Sequence, residues 1–187
     1  MLLKYIEIGC KNLLKSREVF LSNYAFSMVS DHKDSCILKN NSIELHLTQQ
    51  ELDFNRVVNI GFSHENINEF KEKTSVLGLR SSKINDNCER YDGVPFVNIQ
   101  SPFSHLSHKV YQCSTELESE KQPSTSPISL DIDHVLFCCD TQTAHLHADW
   151  YAKMLDLKPY ICEVRLSKHF ATTFNNLITV VQKDIIL

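Results

Sequence analysis

The sequence predicts an α+β fold built from a repeated unit, in which a strand and a helix precede a meander of two or three strands. Three strand-like runs open the repeats, and they begin near Tyr5, Arg56 and Ile132. A stretch with the helical spacing of apolar residues follows each run. Each stretch ends on two apolar residues placed two apart, which are Tyr24 and Phe26, Leu77 and Leu79, and Leu155 and Leu157. Such a repeat predicts the fold more strongly than any single strand or helix.

The first repeat has a strand predicted for residues 5–10 and a helix predicted for residues 12–26. Two further strands are predicted for residues 35–38 and 43–47. The link between them is rich in Asn, which is typical of a hairpin turn.

The second repeat follows the same order, with a strand predicted for residues 56–62 and a helix for residues 63–79. Ser63 is the predicted N-cap, because a hydroxyl oxygen can accept a hydrogen bond from a backbone N–H at a helix start. Two strands are then predicted for residues 94–99 and 106–112.

The third repeat has a strand predicted for residues 132–138 and a helix for residues 143–157. Strands are predicted for residues 160–165 and 171–182. The last of these is expected to be interrupted near Asn175, where two Asn residues stand together.

The repeats divide the chain into three predicted regions. Residues 1–113 hold two modules and form one domain. Residues 114–129 are rich in Ser, Thr, Glu and Pro and are predicted to be a linker. Residues 130–187 hold the third module. Since an odd number of modules cannot form two paired domains, we expect this third module to be the first half of an incomplete domain.

The composition is that of a globular protein, with 42% hydrophobic and 22% charged residues. A net charge of −4 argues against a general binder of nucleic acid or membrane surfaces, which would need a basic patch. No apolar run has the length of about 18 residues that a membrane span needs. The seven cysteines are an odd number without C-x-x-C spacing, so we expect reduced thiols and a cytosolic location.

Three stretches carry a family resemblance. They are Ile132 to Leu155, which contains Ile132-Asp133-His134-Val135 and Asp149-Trp150-Tyr151, then Val94 to Val110, and Phe174 to Val181. Together they resemble the 4-hydroxyphenylpyruvate dioxygenase and dioxygenase-like family of the vicinal oxygen chelate superfamily. The first stretch is similar to the start of that family's catalytic domain and is the most specific.

The resemblance implies that paired modules close a cup-shaped sheet around Fe(II), which is held by two His and one carboxylate. Such a site leaves positions open for an aromatic 2-oxo acid and dioxygen. His134 matches the family's first iron ligand. Thr179 aligns with a serine of the substrate pocket, although a β-branched residue that favours a strand is an equally good interpretation. The resemblance also makes mitochondria an alternative location.

The other two ligands of the family have no counterpart in the sequence. By the family's plan, the second His opens a fourth module and the carboxylate lies near that module's end. In the first two modules, Tyr5 and Asn59 fall where a metal-binding His would be, so this pair of modules is expected to be metal-free. A rearranged site that uses His105 and His108 is the weaker alternative.

One local cluster also has the residue types of a metal site. It comprises His145, His147 and Asp149. Residues two apart on a helix do not share a face, so we interpret the cluster as a solvated helix surface. The neighbouring Trp150 and Tyr151 are predicted to anchor the third helix in the core.

These observations leave two main functions open. In the first, the chain is a member or fragment of an Fe(II)-dependent 2-oxo acid dioxygenase and is inactive alone, because its metal site is incomplete. An unpaired module would then favour a homodimer. In the second, the chain is a metal-free pseudoenzyme or binding module. A truncated gene product without a function of its own is the third alternative.

Overall fold

The computed structural model describes residues 2–24, 26–40, 43–86, 93–102, 106–113, 135–140, 144–156, 160–164, 169–174 and 178–183. The described residues fall into two compact units, one within Met1–Asp131 and the other within Ile132–Leu187. His134 and the predicted linker lie outside the described residues.

The first unit contains two strand–helix–meander modules. The first module consists of β1 (Leu2–Cys10), α1 (Leu13–Asn23), β2 (Ser27–His32), β3 (Ser35–Asn40) and β4 (Ile43–Gln49). The second consists of β5 (Arg56–His64), α2 (Ile67–Val76), β6 (Phe96–Gln100) and β7 (Ser107–Gln112).

The seven strands of this unit form one sheet, in the order β2-β3-β4-β1-β5-β7-β6. In each module the closing strand runs parallel to the opening strand, β4 beside β1 and β7 beside β5. The two opening strands pair antiparallel at the centre of the sheet. Isolated bridges from Ser81 to Ile99 and from Asn85 to Phe96 extend the second module beyond β6.

The second unit contains the third module. It consists of β8 (Val135–Asp140), α3 (Ala144–Leu155), β9 (Tyr160–Val164), β10 (His169–Phe174) and β11 (Ile178–Lys183). Its strand order is β8-β11-β10-β9, and the closing strand again runs parallel to the opening one. The predicted α+β class and the repeat are therefore confirmed, as is the interruption of the last predicted strand.

The sheet of the first unit has two different faces, because side chains alternate along a strand. One face is apolar, and the other, called the polar face, combines polar side chains with the buried rings of Tyr5, Phe96 and Tyr111. Ile60 and Phe62 lie on the apolar face and are fully buried. The ring of Phe70, on α2, lies 5.3 Å from that of His64, which shares the face of Phe62. The helix thus covers the apolar face and leaves the polar face to the other side of the sheet.

The helices have 11, 10 and 12 residues. Helix α1 packs against β4, α2 against β6 and β7, and α3 against β10 and β11. In the described ranges, no helix combines the length and apolar character that crossing a bilayer requires. Tyr151 of α3 is fully buried, as predicted, whereas Trp150 is only partly buried.

The second helix starts later than predicted. Ser63 is not its N-cap but lies inside β5, where it pairs with Leu2 and Tyr111. The cap is Asn66, whose Oδ1 accepts the N–H groups of Asn68 and Glu69, each at 3.1 Å. The prediction failed because β5 continues for two residues past its apolar run.

Strand β2 is missing from the prediction. Its residues are mostly exposed, so it lacks the alternation that marked β3 and β4 as strands. It is nonetheless paired antiparallel with β3 along its length. Its edge position explains both the pairing and the weak pattern.

Cys10 and Cys36 carry free thiols that are buried in the first unit. Burial raises the pKa of the Cys10 thiol. Burial and the nearby Asp31 raise the pKa of Cys36 to about 11. Both groups therefore stay protonated at neutral pH and are poor nucleophiles.

Gly61 allows the two opening strands to pair around an aromatic ring. It lies opposite Tyr5 in the antiparallel register of β1 and β5. A Cβ atom at Gly61 would overlap the Tyr5 ring, which is itself fully buried. Only glycine leaves that space to the ring.

Gly61→Ala is expected to lower the free energy of unfolding of the first unit by about 1–3 kcal/mol, because the new methyl group must displace the Tyr5 ring. Amide hydrogen exchange in β1 and β5 measures this unit by itself. In a Tyr5→Leu background the same substitution should cost less. Equal costs in the two backgrounds would show that the ring is not the cause.

Candidate functional site

The polar face of the sheet brings together side chains from both modules of the first unit. The hydroxyl of Tyr5 donates a hydrogen bond to Oδ1 of Asn59, with an O–O distance of 3.2 Å. The Tyr5 and Tyr111 hydroxyls lie 3.4 Å apart. All three residues are buried. The positions predicted to match metal-binding His residues are thus occupied by side chains that bind each other.

A histidine and a carboxylate adjoin this group. The ring of His46 stacks on that of Tyr5, with centroids 4.3 Å apart and planes 9° from parallel. Nε2 of His46 lies 2.9 Å from Oε2 of Glu44. His46 is buried and Glu44 is partly exposed. We call Tyr5, Glu44, His46, Asn59 and Tyr111 the polar cluster.

The polar cluster contains one imidazole and one carboxylate, which already contact each other. A facial triad needs a third ligand of this kind. Within the described ranges, no three His, Cys, Asp or Glu side chains converge where they could hold a metal ion. The residues that the structure describes therefore do not fit the triad that the resemblance implies.

The two site residues predicted from the resemblance belong to the third module. His134 directly precedes β8, and it lies outside the described residues. Thr179 lies on β11, where its register partners are Leu136 of β8 and Thr173 of β10. The backbone of Thr179 thus runs beside a residue that stands two positions after His134. The roles of His134 and Thr179 stay predictions.

The alternative site with His105 and His108 is placed only in part, because His105 lies outside the described residues. His108 is fully buried, and its ring meets that of Phe62 edge-on at 5.9 Å. It lies on the apolar face, opposite to Tyr111 on the same strand. Burial lowers the pKa of His108 to about 3, so this residue is a neutral core histidine at neutral pH.

The cluster on α3 divides between core and surface. His145 and Asp149 are exposed, in agreement with the predicted solvated surface. His147 is buried, at 9% exposure, so the prediction was wrong for this residue. Residues two apart on a helix lie about 200° apart around its axis, which is why the three side chains do not share an environment.

Sequence reasoning missed three members of the polar cluster, Glu44, His46 and Tyr111. Glu44 and His46 had a signal in β4, where polar residues stand between buried apolar ones, whereas Tyr111 directly follows the buried Val110 in β7. This pattern normally predicts a solvated face. The burial of His46 could be recognised only once the Tyr5 ring had been placed beside it.

No protein-family model matches the sequence, and no curated protein matches it. Solved structures do match. A triple mutant of 4-hydroxymandelate synthase from Streptomyces coelicolor has a TM-score of 0.72 and 14% identity, over 98% of this chain and 63% of that chain.

Two further solved structures have different activities. The Mn(II)-bound glyoxalase from Novosphingobium aromaticivorans has a TM-score of 0.69 and 12% identity, over 97% of this chain and 61% of that chain. Homoprotocatechuate 2,3-dioxygenase from Arthrobacter globiformis has a TM-score of 0.66 and 12% identity, over 98% of this chain and 60% of that chain. At such identities the likeness shows the fold, which is the vicinal oxygen chelate fold. The chain spans about three fifths of the length of these structures.

The buried His108 predicts that the first unit is sensitive to acid. An unfolded histidine titrates near pH 6.5, whereas the folded state holds the pKa of His108 at about 3. The unfolded chain therefore takes up a proton that the folded state excludes, so stability falls as the pH drops below about 6.5. At pH 4.5 the expected loss is about 2–3 kcal/mol.

His108→Leu should make the free energy of unfolding less dependent on pH between 6.5 and 4.5, as measured by amide exchange in β5 and β7. His32→Gln, at an exposed position on β2, is the matched control and should keep the wild-type dependence. If His108→Leu has the same pH dependence as the wild type, His108 is not the group responsible.

Proposed function

We propose that the chain belongs to an Fe(II)-dependent 2-oxo acid dioxygenase of the 4-hydroxyphenylpyruvate dioxygenase-like family. The observation that carries the proposal is the third module. It repeats the arrangement of the first two, with β11 parallel to β8, and it follows a domain of the same fold. The 4-hydroxymandelate synthase structure, whose fold matches 98% of this chain, supports the assignment.

In this proposal His134 is one metal ligand, and the Thr179 hydroxyl is a hydrogen-bonding group for an aromatic 2-oxo acid. Fe(II) would supply the site at which the 2-oxo acid and dioxygen meet. The second His and the carboxylate would come from a fourth module, supplied by further sequence or by another chain. We therefore propose that residues 1–187 alone are inactive. The proposed location is the cytosol, with mitochondria as the alternative.

The polar cluster favours a second candidate for the first unit, a metal-free binding module. Tyr5 and Asn59 stand on the opening strands and satisfy each other by a hydrogen bond. A buried phenol and amide paired in this way need no metal ion to be stable. A chain with this fold can therefore keep its structure without keeping the chemistry.

The metal content of the chain tests the proposed division of ligands. Anaerobic titration of residues 1–187 with Co(II), followed by visible absorption, is expected to show no tight stoichiometric site, because His134 provides a single imidazole. His134→Ala should behave like the wild type. His145→Ala, which removes an exposed histidine, is the control.

A tight site that is lost in His134→Ala and kept in His145→Ala would contradict the proposed inactivity, since a complete ligand set would then exist without a fourth module. Release of CO₂ from 4-hydroxyphenylpyruvate by the Fe(II)-loaded chain would contradict it independently.

The encoding transcript tests the family itself. Codons after Leu187 for a strand-opening His, and for a Glu or Asp on a closing strand, would support the dioxygenase. A stop codon directly after Leu187, together with a chain that binds no Co(II), would favour the metal-free binding module.

A further inference from the structure

A cavity of about 550 Å³ lies where the segment between β4 and β5 meets the end of β1. Its lining residues come from that segment and from the start of the neighbouring elements: Lys11, Glu51, Leu52, Asp53, Phe54 and Arg56. This volume lies in the range of small-molecule sites, about 300–1,000 Å³. No member of the polar cluster is among these lining residues.

The walls of the cavity are held by hydrogen bonds on both sides. The backbone N–H of Lys11 donates to Oδ1 of Asn55 at 2.9 Å, and Nδ2 of Asn55 donates to Oγ of Ser16 at 2.9 Å. The backbone N–H of Gln50 donates to the carbonyl oxygen of Cys10 at 2.9 Å. Gly9 permits this close approach, because a Cβ there would meet the Gln50 side chain. The cavity is therefore largely preformed.

Arg56 gives the cavity an anion-binding group. It lies opposite Gly9 in the register of β1 and β5 and is partly buried. Its Nε atom is buried and has no hydrogen-bond partner in the described part of the chain. Nζ of Lys11, a second cation in the wall, is 3.4 Å from the backbone carbonyl oxygen of Asp53, a neutral acceptor. Because Nε is buried, the two Nη groups of Arg56 are the donors left for a ligand in the cavity, and a planar guanidinium can give a carboxylate two parallel hydrogen bonds.

Two features of the wall narrow the class of ligand. Phe54 is 67% exposed although it is a large aromatic residue, and Leu52 lies beside it in the same wall. They offer an apolar surface to an aromatic group. The carboxylates of Glu51 and Asp53 are exposed at the same cavity, and they would repel a ligand with several negative charges.

We propose that this cavity binds a small aromatic monocarboxylate, with its carboxylate on Arg56 and its ring against Phe54. The site is independent of the proposed dioxygenase function, since none of its residues comes from the third module. It gives the first unit a binding activity of its own.

The probe is phenylacetate, added to ¹⁵N-labelled chain 1–187 and followed by amide chemical shifts. Shifts are expected for residues 50–56 and Lys11. Phenylacetamide, the neutral isostere, should bind about tenfold more weakly or worse, because it removes the charge that pairs with the guanidinium. Arg56→Gln should weaken phenylacetate binding by about the same factor. Arg80→Gln, an exposed arginine away from the cavity, is the matched control and should bind normally.

Phe54→Ser keeps the test decisive if Arg56→Gln fails to fold, because an exposed side chain contributes little to the fold. This variant should bind phenylacetate about threefold more weakly, through loss of apolar contact. Equal binding of phenylacetate and phenylacetamide, or unchanged binding by Arg56→Gln, would overturn the proposal. Tighter binding of L-phenylalanine would assign Glu51 and Asp53 to an ammonium group and overturn the monocarboxylate class. Equal competition by inorganic phosphate would show that the ring is not recognised.

Discussion

The antiparallel pairing of β1 with β5 is the constraint on which the rest of the first unit depends. These are the opening strands of two modules, and each carries its own closing strand in parallel on its outer side. The pairing therefore joins two locally folded modules into one seven-stranded sheet. It works only because Gly61 leaves room for the Tyr5 ring between the strands. The same ring then supports His46 by stacking and Asn59 by a hydrogen bond.

This arrangement pairs Tyr5 with Asn59 at the positions that the resemblance aligns with metal-binding His residues. An imidazole and a carboxylate in the places of Tyr5 and Asn59 would each need a partner for their lone pairs or charge when buried. A tyrosine hydroxyl and an asparagine oxygen instead form a neutral donor–acceptor pair. His46 is held between the Tyr5 ring and the Glu44 carboxylate, so its position follows from the same central side chain. The polar face can thus keep its shape through the side chains of the sheet alone.

Much of this fold could be predicted from the sequence, because each repeat shows the local spacing of apolar residues that is typical of strands and helices. The opening strands, the helices and the break before β11 all leave a periodicity that needs no tertiary information. Strand β2 does not, since an edge strand with mostly exposed side chains lacks alternation. The true helix cap, Asn66, was hidden because β5 runs past its apolar core into Ser63 and His64.

The sites were less predictable, because they depend on residues distant in sequence. Tyr5 and Asn59 could be aligned as equivalent positions, yet their hydrogen bond spans 54 residues and requires the sheet to exist. The sequence predicts Arg56 only as the first residue of a strand. Its value as an anion-binding group follows from a neighbouring segment that folds back over Gly9. His147 was predicted to be exposed and is buried, because helical spacing alone does not show which side of α3 meets the core.

The opening strands differ in their pairing between the two units. In the first unit each opening strand is paired on both sides, in parallel with its closing strand and antiparallel with the other opening strand. In the four-stranded sheet, β8 is an edge strand whose pairing within the described residues is with β11. A strand edge with unpaired N–H and C=O groups readily pairs with another strand. Under the proposed function, this edge is where the opening strand of a fourth module, or of a second copy of the chain, would pair antiparallel. Such a pairing would give β8 the two neighbours that β1 and β5 each have in the first unit.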